Sequence, residues 1–518
     1  MSLTFTGGTS SASASQADKV LRIGLGTLPG NLDPAAVADD ASATVVKGMF
    51  EGLVRLNQAG LAVPGIAKSW MVSSDGRTYT FTLRGDAKWS NKQQVLASDF
   101  EYAWKRALAP EAGNVYAFNM YAINNAEQYH QGILKDASQI GVKALNNTTL
   151  QVTLKEKTAY FLQLLAESIY LPVNQKAVKA NRNWAAGMTS MVNNGPFKLK
   201  QRTAEAITLV KNPDYYAAKD IKLSEVHLQL PKLGTANPTA AFVNKEVDWV
   251  GGGGEEQLDY SIMNYGTSRL VYGAPYATNY YYMFNLNQAP FSNLKIRKAL
   301  AMALDREQLY GNPAYGVIPP AIHGVKGSFR SEVADQAYFT MDIAAAKQLL
   351  AEGLREEGLS KLPSFSIIMN EGEGHENIAK RVVTAWNRNL GIEATIELQN
   401  WTLLLENRRN QNFMMARAGW SADFNDPASM LEPFTSWSAD NDTGWSNSQY
   451  DGYIKQAKQT ADPAQRMQLY AKAEKMLIDQ MIILPLYYCV ADVAHNPLLK
   501  NVYIDYDGSI AFARGSWL

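Results

Sequence analysis

Short β-periodic runs alternate with capped helical runs along nearly the whole chain, and this alternation narrows the possible folds more than any other feature. Every second residue is apolar at Leu21-Ile23-Leu25, Tyr79-Phe81-Leu83, Leu150-Val152-Leu154 and Ile392-Ala394-Ile396-Leu398, the period of a half-buried strand. Helical segments lie between them. Asp462-Pro463 joins an N-cap to a proline at the first helical position, and Met467, Tyr470, Ala471, Glu474 and Met476 continue that helix. A second helix runs from about Glu376 to Asn389 and stops at Leu390-Gly391, where glycine supplies a left-handed cap. A third, near Ile343 to Leu350, has apolar spacing of three and four. The mixture predicts α/β lobes, and 518 residues suffice for roughly three domain-sized units.

Charge and cysteine content exclude several functions. Lys plus Arg and Asp plus Glu are 49 each, so the formal charge is zero. Nucleic acid would ask for a basic excess, yet the basic blocks are no longer than pairs such as Arg408-Arg409. Cys489 is the single cysteine, which rules out an intrachain disulfide and a four-cysteine metal site. Residues 1–18 are small and polar and lack the charged start and apolar core of a signal peptide, so they read as a disordered leader. No apolar run reaches the length of about 18 residues that a membrane span needs. Gly251-Gly252-Gly253-Gly254 is followed by Glu255-Glu256, not by lysine, and reads as a flexible loop instead of a phosphate cradle. The five histidines, at 130, 227, 323, 375 and 495, form no zinc helix and no nucleophile arrangement, and no cofactor is expected. Glu371 with Glu373, or Asp423 with Asp426, are carboxylate spacings that glycoside hydrolysis could use in principle.

Chemistry concentrates in Arg417-Ala418-Gly419-Trp420-Ser421-Ala422-Asp423-Phe424-Asn425-Asp426-Pro427. Phe413 to Trp420 has the content of a buried strand, on which Arg417 shares a face with Phe413 and Met415. A buried ion without a partner costs several kcal/mol. Arg417 and Asp423 therefore either pair with each other or wait for a ligand, and a zwitterion would satisfy both.

Several motifs in order give the chain a resemblance. Leu32-Asp33-Pro34, Phe50-Glu51-Gly52-Leu53, Tyr79-Thr80-Phe81-Thr82-Leu83-Arg84, Ala87-Lys88-Trp89-Ser90, Asn194-Gly195-Pro196-Phe197, Asn212-Pro213-Asp214-Tyr215-Tyr216, Pro313-Ala314-Tyr315-Gly316 and Leu484-Pro485-Leu486-Tyr487-Tyr488 together resemble the extracytoplasmic oligopeptide-binding proteins of ABC importers, family 5 of the solute-binding proteins. The resemblance implies a bilobal periplasmic-binding-protein (Venus-flytrap) fold with an extra inserted domain, three domains in all. It implies a discontinuous first domain at 19–50, 185–278 and 491–518, an inserted second at 51–184 and a third at 279–490, with a hinge at the crossings near 278 and 490.

The same resemblance implies the site. Asp423 would take the α-ammonium of a short peptide, while Arg417, His375 and Arg408 would face its C-terminal end. The backbones of Ala418, Gly419 and Trp420 would pair the peptide main chain as an added strand, and Trp401, Trp420, Tyr116 and Tyr488 would wall the pockets. A solvated His375 and a hydrated Arg408-Arg409 pair are the plain alternatives. The implied partner is a membrane ABC permease, the location the periplasm or the outer face of the cytoplasmic membrane, the state a monomer. Dipeptides, cell-wall peptides and oligosaccharides are the alternative cargoes on this fold. Thr278 and Ser421 fall where relatives can carry a disulfide. Two departures stand out: the segment between Asp305-Arg306 and Pro313 is short and lacks a lysine, and Asp39 and Asp40 are displaced from the acidic residue expected near Ala38.

Overall fold

The computed structural model describes residues 19–518 except 115, 189, 231–237, 253–257, 259–269, 310, 334–336 and 373. The sequence readings at residues 1–18, Gly253, Gly254, Glu255, Glu256 and Glu373 lie outside the described residues.

Two sheets hold most of the strand residues. In order they use β1 (Val20–Gly24), β2 (Ala67–Val72), β3 (Thr78–Leu83), β4 (Val142–Asn146), β5 (Thr149–Thr153), β6 (Phe197–Arg202), β7 (Ala206–Lys211), β8 (Glu225–Gln229) and β9 (Trp249–Val250). The long β10 (Leu270–Phe284), β11 (Phe365–Asn370), β12 (Ala394–Gln399), β13 (Met415–Ser421) and β14 (Ile483–His495) follow. The small antiparallel sheet has the order β2-β3-β5-β4. The large one runs β12-β11-β13-β10-β14-β9-β1-β8-β7-β6, and Asn312–Pro313 adds an eleventh strand beside β14. The strands expected from alternation are all present, with Phe81, Leu150 and Ile23 fully buried; the expected run at Ile392 begins two residues later, at Ala394.

The helices follow their caps. They include α1 (Asp40–Met49), α2 (Ile343–Glu356), α3 (His375–Leu390), α4 (Trp401–Arg409) and α5 (Pro463–Asp479). Asp462 accepts from the Gln465 N–H at 3.0 Å to open α5, a contact worth about 1 kcal/mol, and Gly391 closes α3 at φ 68°. Gly251 is not slack loop: its φ is 93° and a Cβ there would lie 1.9 Å from the Asp492 carbonyl oxygen.

The strands β10 and β14 join the two halves of the large sheet. Their antiparallel register breaks between Pro275 and Asn279 on one strand and Val490 and Tyr488 on the other. Beyond the break β10 pairs with β13, Thr278 opposite Ser421 through Phe284 opposite Met415. The hydroxyls of Thr278 and Ser421 hydrogen-bond at 2.7 Å.

Candidate functional site

The turn after β13 fixes every polar side chain but one. Asn425 accepts the His323 N–H at 2.7 Å. Asp426, 2% exposed, accepts the Ala428 N–H at 3.0 Å and pairs with Arg466. Phe424 stacks on Tyr160 with centroids 4.6 Å apart. The backbone N–H of Asp423 donates to Ser429 Oγ at 2.8 Å, yet its half-buried carboxylate has no hydrogen bond or ion pair among the described residues. The internal Arg417–Asp423 salt bridge left open by the sequence is therefore absent. The commitment of Asp426 to Arg466 also removes it as a partner for a hydrolytic acid pair with Asp423.

Asp423 stands at the meeting of two cavities. One, of about 280 Å³, is lined by Asp39 and Asp40, by Tyr116, Asn119 and Glu167, and by Tyr276, Ser421, Ala422, Asp423 and Asp507, so six separate stretches of chain close around it. The other, of about 400 Å³, adds Trp420 and further aromatic rings. Burial, then the neighbouring Asp440 and Glu432, lifts the Asp423 carboxyl to about 7. Asp40 is also raised to about 7, by burial and by Asp507 and Asp39. Burial pushes Glu167 up, and its Oε1 is buried without a partner. Asp39 is committed to capping α1, accepting from Ser42 N and Ser42 Oγ at 2.7 Å each. Asp507 holds Lys47 at 2.5 Å. Removing water from this acidic surround strengthens its pull on an arriving cation.

Arg417 belongs to a different cluster. Adjacent strand residues point to opposite faces, and Arg417 stacks over Tyr280 at 5.0 Å, on the face opposite Trp420. Tyr280 in turn stacks on Tyr487 at 4.7 Å, and its hydroxyl meets His375 Nδ1 at 3.1 Å. His375 is 3% exposed, so it is not the solvated histidine of the plain alternative. Arg417 Nε is buried without an acceptor, and among the described residues no carboxylate pairs with Arg417. Arg417 lines neither cavity beside Asp423.

The backbone of β13 offers an edge. Its parallel neighbour β11 reaches only Met415 and Ala416, which leaves Arg417 to Ser421 with no strand on that side among the described residues. Because Ala422 N–H donates to the Ala277 carbonyl, the even-numbered residues of β13 face β10 and Gly419 faces the open edge. The missing Cβ of Gly419 serves β10, since a Cβ would lie 2.8 Å from the Asn279 carbonyl oxygen. Trp420 N–H donates to Asn279 Oδ1 at 3.0 Å.

Structure thus gathers Asp423, Trp420 and Tyr116, with Ala418 and Gly419 adjacent in β13, and sets Arg417 with His375. The others stand apart. Arg408 is held by Asp442 at 3.0 Å, a pair rather than a hydrated side chain, while Arg409 is exposed. Trp401, 51% exposed, begins α4. Tyr488 is buried, with its titration governed by burial and by Arg330 and Glu474. Glu167, Asp507, Glu432 and Asp440 carry no local pattern that sequence could have flagged; only the Asp39-Asp40 doublet did.

The description "Bacterial extracellular solute-binding proteins, family 5 Middle" matches residues 62–442. The oligopeptide-binding protein OppA of Bacillus subtilis is 34% identical over 523 residues, 98% of this chain and 95% of the relative. Among solved structures, the unliganded open form of the periplasmic murein tripeptide-binding protein MppA superposes with a TM-score of 0.85 at 28% identity, covering 96% of this chain and 97% of that one. Listeria monocytogenes OppA bound to peptide gives 0.69 at 26% identity, covering 96% and 99%. Matched along most of its length by family description, by sequence and by a bilobal α/β architecture, this chain belongs to family 5 of the bacterial extracellular solute-binding proteins.

Proposed function

We propose that this protein is a non-catalytic receptor that captures short peptides with a free α-amine and delivers them to an ABC-type import permease. One observation supports the reading: the unpaired, half-buried carboxylate of Asp423 lies where two cavities meet, beside an open strand edge. A peptide α-ammonium supplies the missing counterion, and a charge-assisted hydrogen bond forms in a site that closure dries. The open edge from Arg417 to Ser421 spans about 14 Å, the length of an extended tri- or tetrapeptide. Neutral sugars bring no cation, which favours peptides over the oligosaccharide alternative.

Closure follows from the sheet. The register break in β10 and β14 lies where the expected domain boundaries at 278 and 490 fall, and a few residues with interrupted pairing suffice for a hinge. The better superposition on an open form supports reading this arrangement as the ligand-free state. Work as a monomer at the outer face of the cytoplasmic membrane or in the periplasm follows from the same role.

Titration calorimetry with tri- and tetrapeptides, each paired with its N-acetylated form, tests the proposal. Acetylation is expected to weaken binding by about thirtyfold or more, the cost of a desolvated charge left unpaired. Equal affinity for blocked and free peptides refutes the assignment.

A further inference from the structure

The larger cavity beside Asp423 contains a charge imbalance that one α-ammonium does not cancel. Its walls include Phe118, Tyr160, Trp420 and Trp437, and it carries Asp423, Glu432 and Asp440. Both of its lysines are engaged: Lys155 with Glu127 at 3.1 Å and Lys458 with Glu156 at 2.8 Å. Glu432 accepts a hydrogen bond from the Tyr160 hydroxyl at 2.9 Å, a neutral donor that leaves its charge in place. Asp440 is exposed and its carboxylate has no ion pair among the described residues. Asp440 and Glu432 add to burial in pushing the Asp423 carboxyl up, which places all three within electrostatic reach of one another.

Resting on the assignment of the amine to Asp423, we propose that this cavity receives the side chain of the peptide's first residue and selects a cationic one, lysine or arginine. The chemistry matches at both ends of such a side chain. Its methylene stem packs against aromatic walls while its head reaches the carboxylates, the usual partition of a long basic side chain. A cation within about 6 Å of a ring face gains further attraction. Trp437 already shows the mode, with Lys455 Nζ 4.5 Å from its ring centroid, and Phe118 and Trp420 supply rings for the ligand. A glutamate in that position would add a fourth negative charge and be rejected.

Calorimetry on the full chain with Lys-Ala-Ala, norleucine-Ala-Ala and Glu-Ala-Ala, each free and N-acetylated, separates charge from stem length. The lysine peptide is expected to bind about tenfold tighter than its norleucine counterpart, and Asp440→Asn, an exposed substitution, should cut that ratio to about threefold or less. Equal or tighter binding of the norleucine peptide, with acetylation still damaging, overturns the cationic selectivity and spares the amine assignment. A lysine preference that Asp440→Asn leaves intact overturns the placement in this cavity. Indifference to acetylation overturns the underlying reading, and this proposal with it.

Discussion

Replacing Asp423 with asparagine is expected to stabilise the ligand-free protein at alkaline pH while weakening peptide capture. Burial, reinforced by Asp440 and Glu432, raises this carboxyl from 3.8 to about 7. The folded chain then keeps a proton that the unfolded chain has lost, so the contribution to stability is fully present below 3.8 and is lost as pH rises through about 7. At about 1.4 kcal/mol per pH unit, Asp423 costs the fold about 4 kcal/mol above pH 7 and about 1 to 2 kcal/mol at pH 5. Asparagine carries no such dependence. The stability difference between Asp423→Asn and its parent should therefore widen by about 2 to 3 kcal/mol between pH 5 and pH 8, read from urea unfolding at each pH. Calorimetry on the same variant should show peptide binding weakened by at least about 2 kcal/mol, roughly thirtyfold. A stability difference that stays flat across this range refutes the burial argument, and unchanged peptide affinity refutes the role given to the carboxylate.

Peptide affinity of the parent protein should fall by about five- to sixfold from pH 7.5 to pH 6, because acid protonates the carboxylate that the role requires ionised, partly offset by fuller protonation of the peptide amine; a flat calorimetric profile contradicts this. Arg417→Met should weaken binding of tripeptides with a free carboxylate by about 1.5 to 3 kcal/mol and leave C-terminally amidated ones nearly unaffected, so equal losses for both would remove Arg417 from the peptide's C-terminal end. Glu474→Gln breaks the buried pair with Arg330 and strands a guanidinium, which should cost about 3 to 5 kcal/mol in urea unfolding. Gly419→Ala should cost about 1 to 3 kcal/mol through the contact with the Asn279 carbonyl, and a parent-like midpoint would show that β10 can yield.

What sequence reveals here is set by distance along the chain. The stop of α3 at Gly391 and the start of α5 at Asp462-Pro463 are local, decided within one turn, and both stand where the sequence places them. The strand expected from Phe413 to Trp420 forms two residues later at its start and one later at its end, as Met415–Ser421, and the position of Asp423 in a turn was also legible as pattern. Which acid of that turn is free was not, because Asp426 is neutralised by Arg466, forty residues on. Arg408 likewise meets Asp442, thirty-four residues away, and Tyr280 reaches His375 across ninety-five. Alternation along β13 already implied that Arg417 and Trp420 face opposite ways, and Arg417 lies over Tyr280 while Trp420 lines the cavity beside Asp423. Glu167 and Asp507 enter the acidic cavity only through tertiary folding, and no spacing announces them.

The hydroxyl pair of Thr278 and Ser421 tethers the end of β13 to β10, two residues before Asp423, without any thiol. A hydroxyl tether forms as the strands zip and needs no oxidant, isomerase or electron acceptor. With a single cysteine in the chain, the geometry of the turn that carries Asp423 is set identically under reducing and oxidising conditions, so recombinant material folded in a thiol-rich cytosol should carry the same competence as material matured outside the cell.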